Sequence, residues 1–178
     1  ELKESVEKAK KEGIRVIAYD RQINDSDVDL YISFDNEEVG TMMALALVSH
    51  GISGGNVLML GGSPTDGNVA MVEKGFREVM KRNQVTILDT MHADGWKAEL
   101  AAEYVYSHGD MVRLADGIMC GNDDLATQVV HALAETRRAG DILVVGQDAD
   151  LAACQRIVEG TQIMTVYKPV EKLATRAA

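Results

Sequence analysis

Short apolar runs alternate with longer amphipathic stretches along this chain, and that alternation leaves few folds open to it. The runs Ile14–Tyr19, Tyr31–Phe34, Val57–Leu60, Val85–Met91, Gly117–Cys120, Ile142–Val145 and Gln162–Tyr167 have strand length. Between and around them lie stretches with helical spacing. Leu2–Lys11 is stopped by Gly13. A segment capped by Asn36, with Val39, Met43, Ala46 and Leu47 on one face, ends at Gly51, Gly54 and Gly55. Another repeats Val69, Val72, Phe76 and Val79. Ala98–His108, Asp124–Arg138 and Leu151–Glu159 follow, and Pro169 opens a last helix. Asn24-Asp25-Ser26-Asp27 is polar turn chemistry. Strands that alternate with helices imply a doubly wound α/β fold with a parallel sheet covered on both faces, and continuously apolar strands are what such burial requires.

The 178 residues suit one domain, or one lobe with parts of another. At 46% hydrophobic and 26% charged the chain is an ordinary globular sequence. No apolar run reaches the roughly 20 residues that cross a bilayer. The first residues, ELKESVEKAKKEG, hold no apolar signal core, which leaves a cytoplasmic chain, a processed one or a piece of something longer. The net charge of −10 argues against nucleic acid as a partner. The one basic cluster, Lys8, Lys10 and Lys11, reads as the solvated face of a helix. Cys120 and Cys154 form no CxxC pair and read as buried free thiols, though spacing alone does not exclude a disulfide between them.

In open sheets of this class, ligands bind beyond the carboxyl ends of the strands. The residues there are Asp20-Arg21, Gly61 to Asn68, His92 to Trp96, Gly121 to Asp124, Gly146 to Asp150, and Lys168. Asp, Asn, Arg and Lys dominate, with one tryptophan. A neutral polyol calls for this set: each hydroxyl both donates and accepts, and the C–H face of a ring packs on an aromatic plate. Each feature also has a plain structural reading. Asp20-Arg21 reads equally as a local ion pair. Asn122, Asp148 and Asp150 look like helix caps, and for Asp123 the cap is the preferred reading. Trp96 fits a half-buried core position, Lys168 a snorkelling surface lysine and Asn68 a helix start. The shared position at strand ends carries more weight than any one of them.

Other chemistries fit less well. Gly61-Gly62-Ser63-Pro64 is neither dinucleotide nor P-loop fingerprint. His50, His92, His108 and His131 lack metal-ligand spacing, and one DxD pair, Asp148 and Asp150, does not make a metal site. Ser63 lacks a nucleophile elbow, and no nucleophile with a neighbouring base stands out. The expectation is a binding protein with no cofactor, no metal and no catalysis.

The stretches VIAYDRQINDSDVDLYISFDNEEVG, LGGSPTDGN, ADGW, GNDDLA, VVGQDADLAACQRIVEGTQIMTVYKP and EKLATRAA, in this order, resemble the sugar-binding proteins of bacterial ABC importers, most closely the D-xylose-binding proteins. The resemblance covers nearly the whole chain. It implies the type I periplasmic-binding-protein fold, with a monosaccharide in an interlobe cleft that closes by hinge motion. Carried over by motif, Asp20 and Arg21 would contact sugar hydroxyls from one lobe. Asn68, Asn122 and Asp148 would do so from the other, Trp96 would stack on the pyranose ring, and Lys168 would complete the set at a hinge crossing. Members of the family begin with further βα units. The expected organisation is therefore a first-lobe fragment over 1–33, a complete second lobe over 34–166, and hinge and return helix over 167–178. Such first-lobe pieces would expose apolar surface and self-associate or be partly disordered; a single clean monomer in gel filtration would count against that.

The resemblance implies D-xylose or a related sugar as ligand. It implies an extracytoplasmic location, in the periplasm or lipid-anchored, and an ABC permease or a sensor kinase as the membrane partner. The alternative is the effector-binding core of a sugar-responsive transcription repressor, which shares the fold and would carry a helix-turn-helix upstream. GQDADL and TVYKP look more like the transport binders. An enzyme, a sugar isomerase or kinase, would turn xylose over.

Overall fold

Glycines and polar turns punctuate the apolar runs, and the strands form between them. The computed structural model describes residues 2–23 and 25–177; Asn24, in the predicted polar turn, lies outside the described residues, as do Glu1 and Ala178. In chain order the elements are α1 (Leu2–Lys11), β1 (Ile17–Tyr19), β2 (Leu30–Ile32), α2 (Asn36–Ser49), β3 (Asn56–Gly61), α3 (Gly67–Arg82) and β4 (Thr86–His92). After a 3-10 turn at Asp94–Trp96 come α4 (Glu99–Ser107), α5 (Gly109–Leu114), β5 (Gly117–Cys120), α6 (Asp123–Glu135), β6 (Leu143–Gln147), α7 (Leu151–Glu159), β7 (Met164–Val166) and α8 (Val170–Ala177). The predicted helix over 98–108 is α4, and a second short helix that sequence did not indicate, α5, follows it. They meet at His108, whose φ/ψ of −117°/40° is not helical. No helix among the described residues is long and apolar enough to cross a membrane.

The chain divides into two compact units, Glu1–Asp35 with Pro169–Ala178, and Asn36–Lys168. The larger unit carries a five-stranded sheet in the order β4-β3-β5-β6-β7, every neighbouring pair parallel. Successive side chains of a strand point to opposite faces. One face of the sheet therefore presents Leu58, Leu60, Ile118, Cys120 and Val144 to Ala101, Tyr104, Leu125, Val129 and Leu133 of α4 and α6. The other presents Val57, Met59, Met119 and Val145 to Val39, Met43, Leu47, Phe76 and Met80 of α2 and α3. β5 is buried at all four positions, which explains its uninterrupted apolar sequence. At the β4 edge, Asp89 turns its carboxylate onto its own strand. It accepts from Thr90 N at 2.8 Å and from the Tyr104 hydroxyl at 2.7 Å. These bonds hold its pKa below the usual value, and a charge on an edge strand opposes pairing with another chain.

Chain order and spatial order part company at the middle of this sheet. From β3 the chain moves outward to β4, then crosses back to β5 on the other side of β3. Adjacent strands whose connections leave in opposite directions open a crevice at their carboxyl ends, here between β3 and β5.

The smaller unit holds α1, a parallel β1–β2 pair and α8. Among the described residues, Val6, Ala18 and Leu173 are its buried apolar ones. Ile17, Tyr19 and Leu30 remain 46%, 46% and 44% exposed, so the face of this strand pair opposite Ala18 presents apolar surface. Lys8 and Lys11 are exposed, and Lys10 pairs with Asp27 at 2.6 Å. The thiols differ from expectation. Cys120 is buried, and burial pushes its pKa up, but Cys154 lies on the exposed side of α7.

α2 and α3 cross at Gly40 and Gly75. A Cβ on Gly75 would run into the Glu37 carbonyl, and one on Gly40 into the Val72 carbonyl. The Lys74–Glu37 ion pair at 2.7 Å sits on the same crossing. Backbone cannot yield as a flexible side chain can, so Gly75→Ala is expected to destabilise the chain by about 1–3 kcal/mol. Urea unfolding checks this; a change under about 0.5 kcal/mol, the size of an ordinary surface substitution, would show that the two helices part freely.

Candidate functional site

The carboxyl ends of the larger unit's strands gather five of the seven residues singled out by sequence. β3 ends in Gly61, and the loop that follows runs to Asp66, the N-cap of α3. The Asp66 carboxylate accepts from Asn68 N at 3.0 Å, which places Asn68 in the first turn of α3, half-buried. Ser63 is buried, with its hydroxyl 3.1 Å from that of Thr65 and 3.3 Å from Gly95 N. The loop after β3 is thereby tied to the 3-10 turn after β4. In that turn Gly95 and Trp96 both have positive φ, 61° and 60°. The half-buried Trp96 ring lies against Gly62, where a Cβ would strike three of its ring carbons. Gly121, at the end of β5, closes on the Gly62 backbone; a Cβ there would stand 2.6 Å from Gly62 N. The crevice between β3 and β5 thus has a floor without side chains, and Trp96 rests on its edge.

At the end of β5, Asn122 is the cap of α6, its Oδ1 accepting from Leu125 N at 2.9 Å. The cap reading preferred for Asp123 gives way here. A helix start has one cap position and Asn122 fills it, so Asp123 turns inward and is 0% exposed. Its carboxylate accepts from Gln162 Nε2 at 3.0 Å, Thr165 Oγ1 at 2.7 Å and Asp150 N at 3.1 Å. Burial raises its pKa, while the bonds from Thr165 and Gln162 and the Asp150 amide work the other way. Asp150 holds the N-cap position of α7 but its side chain makes no capping bond. Its pKa is raised by burial and by the charges of Asp123, Asp124 and Asp148.

β6 ends in Gln147, which is buried and donates from Nε2 to the Gly121 carbonyl at 2.5 Å. Asp148 and Ala149 follow with φ of 104° and 55°, a left-handed excursion rare for residues with a Cβ. Asp148 points its carboxylate to Lys168 Nζ at 3.0 Å. The two side chains are 39% and 21% exposed, so each keeps hydrogen-bonding capacity for a ligand. Lys168 is therefore an ion-pair partner rather than a snorkelling lysine. Asp148 and Lys168 are thus two predicted site residues joined by a direct bond. Asp20 and Arg21 lie in the smaller unit, just past β1. There Asp20, with φ of 66°, donates its amide to Ile32 O at 2.8 Å, and Arg21 donates its amide to Tyr19 O at 2.8 Å. No group of three or more His, Cys, Asp or Glu suited to a metal occurs among the described residues.

Sequence reasoning missed Asp123, Gln162, Thr165 and the Gly62–Trp96 contact. The signal for the first was Asn122 and Asp123 in sequence: two cap-like residues at a helix start that has room for one.

Residues 1–178 match the periplasmic binding protein domain family. The chain belongs to that family. It is 40% identical over 185 residues to the D-xylose-binding periplasmic protein of Escherichia coli K12, covering 99% of this chain and 55% of that protein. It is also 40% identical, over 182 residues, to the D-xylose-binding periplasmic protein of Haemophilus influenzae, covering 99% and 54%. Among solved structures it is similar to an ABC transporter solute binding protein from Clostridium phytofermentans with bound β-D-glucose. There the TM-score is 0.84 and the identity 28%, over 99% of this chain and 60% of that one. The chain spans about half the length of the curated relatives it matches. The type I periplasmic binding fold expected from sequence is the fold observed.

Gly62→Ala tests the plate on which the site is built. The added methyl displaces the indole, so the fluorescence of Trp96 moves to longer wavelength and the unfolding free energy falls by about 1–3 kcal/mol. Unaltered emission would mean that the ring does not depend on Gly62.

Proposed function

We propose that this chain is the greater part of a solute-binding protein that recognises D-xylose or a related monosaccharide for import or sensing. The observation that carries the reading is the part-exposed Asp148–Lys168 pair after β6 and β7, at the same carboxyl end of the sheet as a tryptophan backed by glycine. A carboxylate accepts at about four lone-pair positions and an ammonium donates three protons, so the pair can satisfy hydroxyls that both donate and accept. Trp96 can take the C–H face of a pyranose ring. Asn122 commits its Oδ1 to the cap and offers its amide nitrogen, while Asn68 lies at the head of α3. The 40% identity to D-xylose-binding relatives supports this ligand class, and relatives bearing the names D-allose-binding and ribose import binding protein keep its neighbours in view.

In this reading residues 34–166 are the second lobe, 1–33 a piece of the first, and 167–178 the hinge crossing and return helix. Asp20 and Arg21 supply ligand contacts from the first lobe. The ligand shifts an open–closed equilibrium and is not transformed. An ABC permease or a sensor kinase outside the cytoplasm reads the closed state. The exposed Ile17, Tyr19 and Leu30 favour self-association of the chain as given.

Trp96 is the one tryptophan, so intrinsic fluorescence has one indole source. Titration with D-xylose, against glucose, ribose and arabinose, is expected to give a saturable change. Asp148→Ala, which leaves Lys168 and sugar hydroxyls unpaired, should weaken binding by about 1–3 kcal/mol, roughly tenfold or more. No response from any of these sugars, in this chain and in the full-length gene product alike, would overturn the reading.

A further inference from the structure

The turn that carries Asp148 is held by one buried carboxylate that belongs to another element. Asp148 and Ala149 both adopt left-handed backbone, at φ of 104° and 55°. Such residues are strained and persist only where surrounding bonds over-determine them. The bonds here lead to Asp123. The Asp150 amide donates directly to Asp123 Oδ2 at 3.1 Å. The Ala149 amide donates to Thr165 Oγ1 at 3.1 Å, and that hydroxyl donates to Asp123 Oδ2 at 2.7 Å. Two successive amides of the turn therefore end on one carboxylate oxygen, the first through a hydroxyl. The other oxygen accepts from Gln162 Nε2 at 3.0 Å. Gln162 is fixed in turn by Arg156, whose Nε donates to Gln162 Oε1 at 3.0 Å and whose Nη2 donates to the Asp123 carbonyl at 3.3 Å. The ring Asp123–Gln162–Arg156 closes on itself, and all three members are buried.

Polarity matters more than shape in this arrangement. Three donors converge on two oxygens, a pattern that only an acceptor-only group satisfies. A carboxylate obliges the Thr165 hydroxyl to point its proton at Asp123, which turns a lone pair toward the Ala149 amide. An asparagine of the same size would set its NH2 against either Gln162 Nε2 or the Thr165 and Asp150 donors.

We propose that Asp123 is a positioning residue: without touching the ligand, it locks the Asp148–Asp150 turn in the left-handed conformation that presents the Asp148 carboxylate beside Lys168. The inference rests on Asp148 being a ligand contact, as read above, but its structural half stands apart from that reading. It is tested with Asp123→Asn and, should that variant fold poorly, with Thr165→Val, which removes only the relay to Ala149. In the whole 178-residue chain without sugar, amide hydrogen exchange at Ala149 and Asp150 should quicken by about tenfold or more in Asp123→Asn, and at Ala149 in Thr165→Val, while β3 and β5 amides keep their protection. D-xylose affinity should fall in step with the exchange. Two results overturn the assignment: unchanged exchange in the turn, or acceleration spread equally over the larger unit, as plain destabilisation would give. If the turn loosens as expected but Asp148→Ala binds D-xylose like the parent, the lock stands and the site reading is what fails.

Discussion

The Asp123 carboxylate is the constraint on which this end of the sheet depends. An ionised acid at zero exposure is costly unless donors replace the water it has lost. The donors come from β7, from Gln162 two residues before it and from the turn before α7, so satisfying one side chain of α6 fixes three other segments. The same carboxylate explains Gly146, where a Cβ would strike Asp123 Oδ1. β7 is only three residues long, too short to be placed by ladder bonds alone, and Thr165 lies in its middle. The outer strand of the sheet is thus located as much by a polar knot as by backbone pairing.

The opposite side of the crevice is built by the reverse device, the removal of side chains. Gly62 and Gly121 let the backbones after β3 and β5 touch, and Gly62 lets an indole lie flat where any other residue would stand. The Gly40–Gly75 crossing continues the theme. With no side chains between them at this crossing, α2 and α3 meet through backbone, and α3 carries Asn68 in its first turn. Strand order sets the place of the crevice, glycines set its depth, and the Asp123 network sets the direction of the acid on its rim.

Much of the architecture was legible because burial writes itself into the sequence. β5 at Gly117–Cys120 and α7 at Leu151–Glu159 match the predicted bounds, since each is a clear apolar or amphipathic run closed by a glycine or an acidic cap. β7 is shorter than the apolar run suggested because Gln162 leaves the strand to serve Asp123. α4 was legible to within a residue at each end, but α5 was not, because six residues opened by a glycine are too short for helical spacing to show. Cys154 was placed in a helix correctly but on the wrong face; α7 leaves Leu151 and Val158 exposed too, so its apolar pattern does not tell inside from outside. Asp148 and Lys168 were legible as strand-end residues. Their setting was not, because Gln162 and Thr165 lie 39 and 42 residues from Asp123, and no local pattern links such partners.

The glycine floor divides the site into parts of unequal evolutionary freedom. Gly62, Gly121 and Gly146 are held by steric exclusion. Asn68 and Asp148 project from turns whose shape is secured elsewhere. A saturation library across these positions should therefore return a map in which the most intolerant residues are the ones with no side chain. Side chains that project from the turns can vary around them without the scaffold having to be rebuilt.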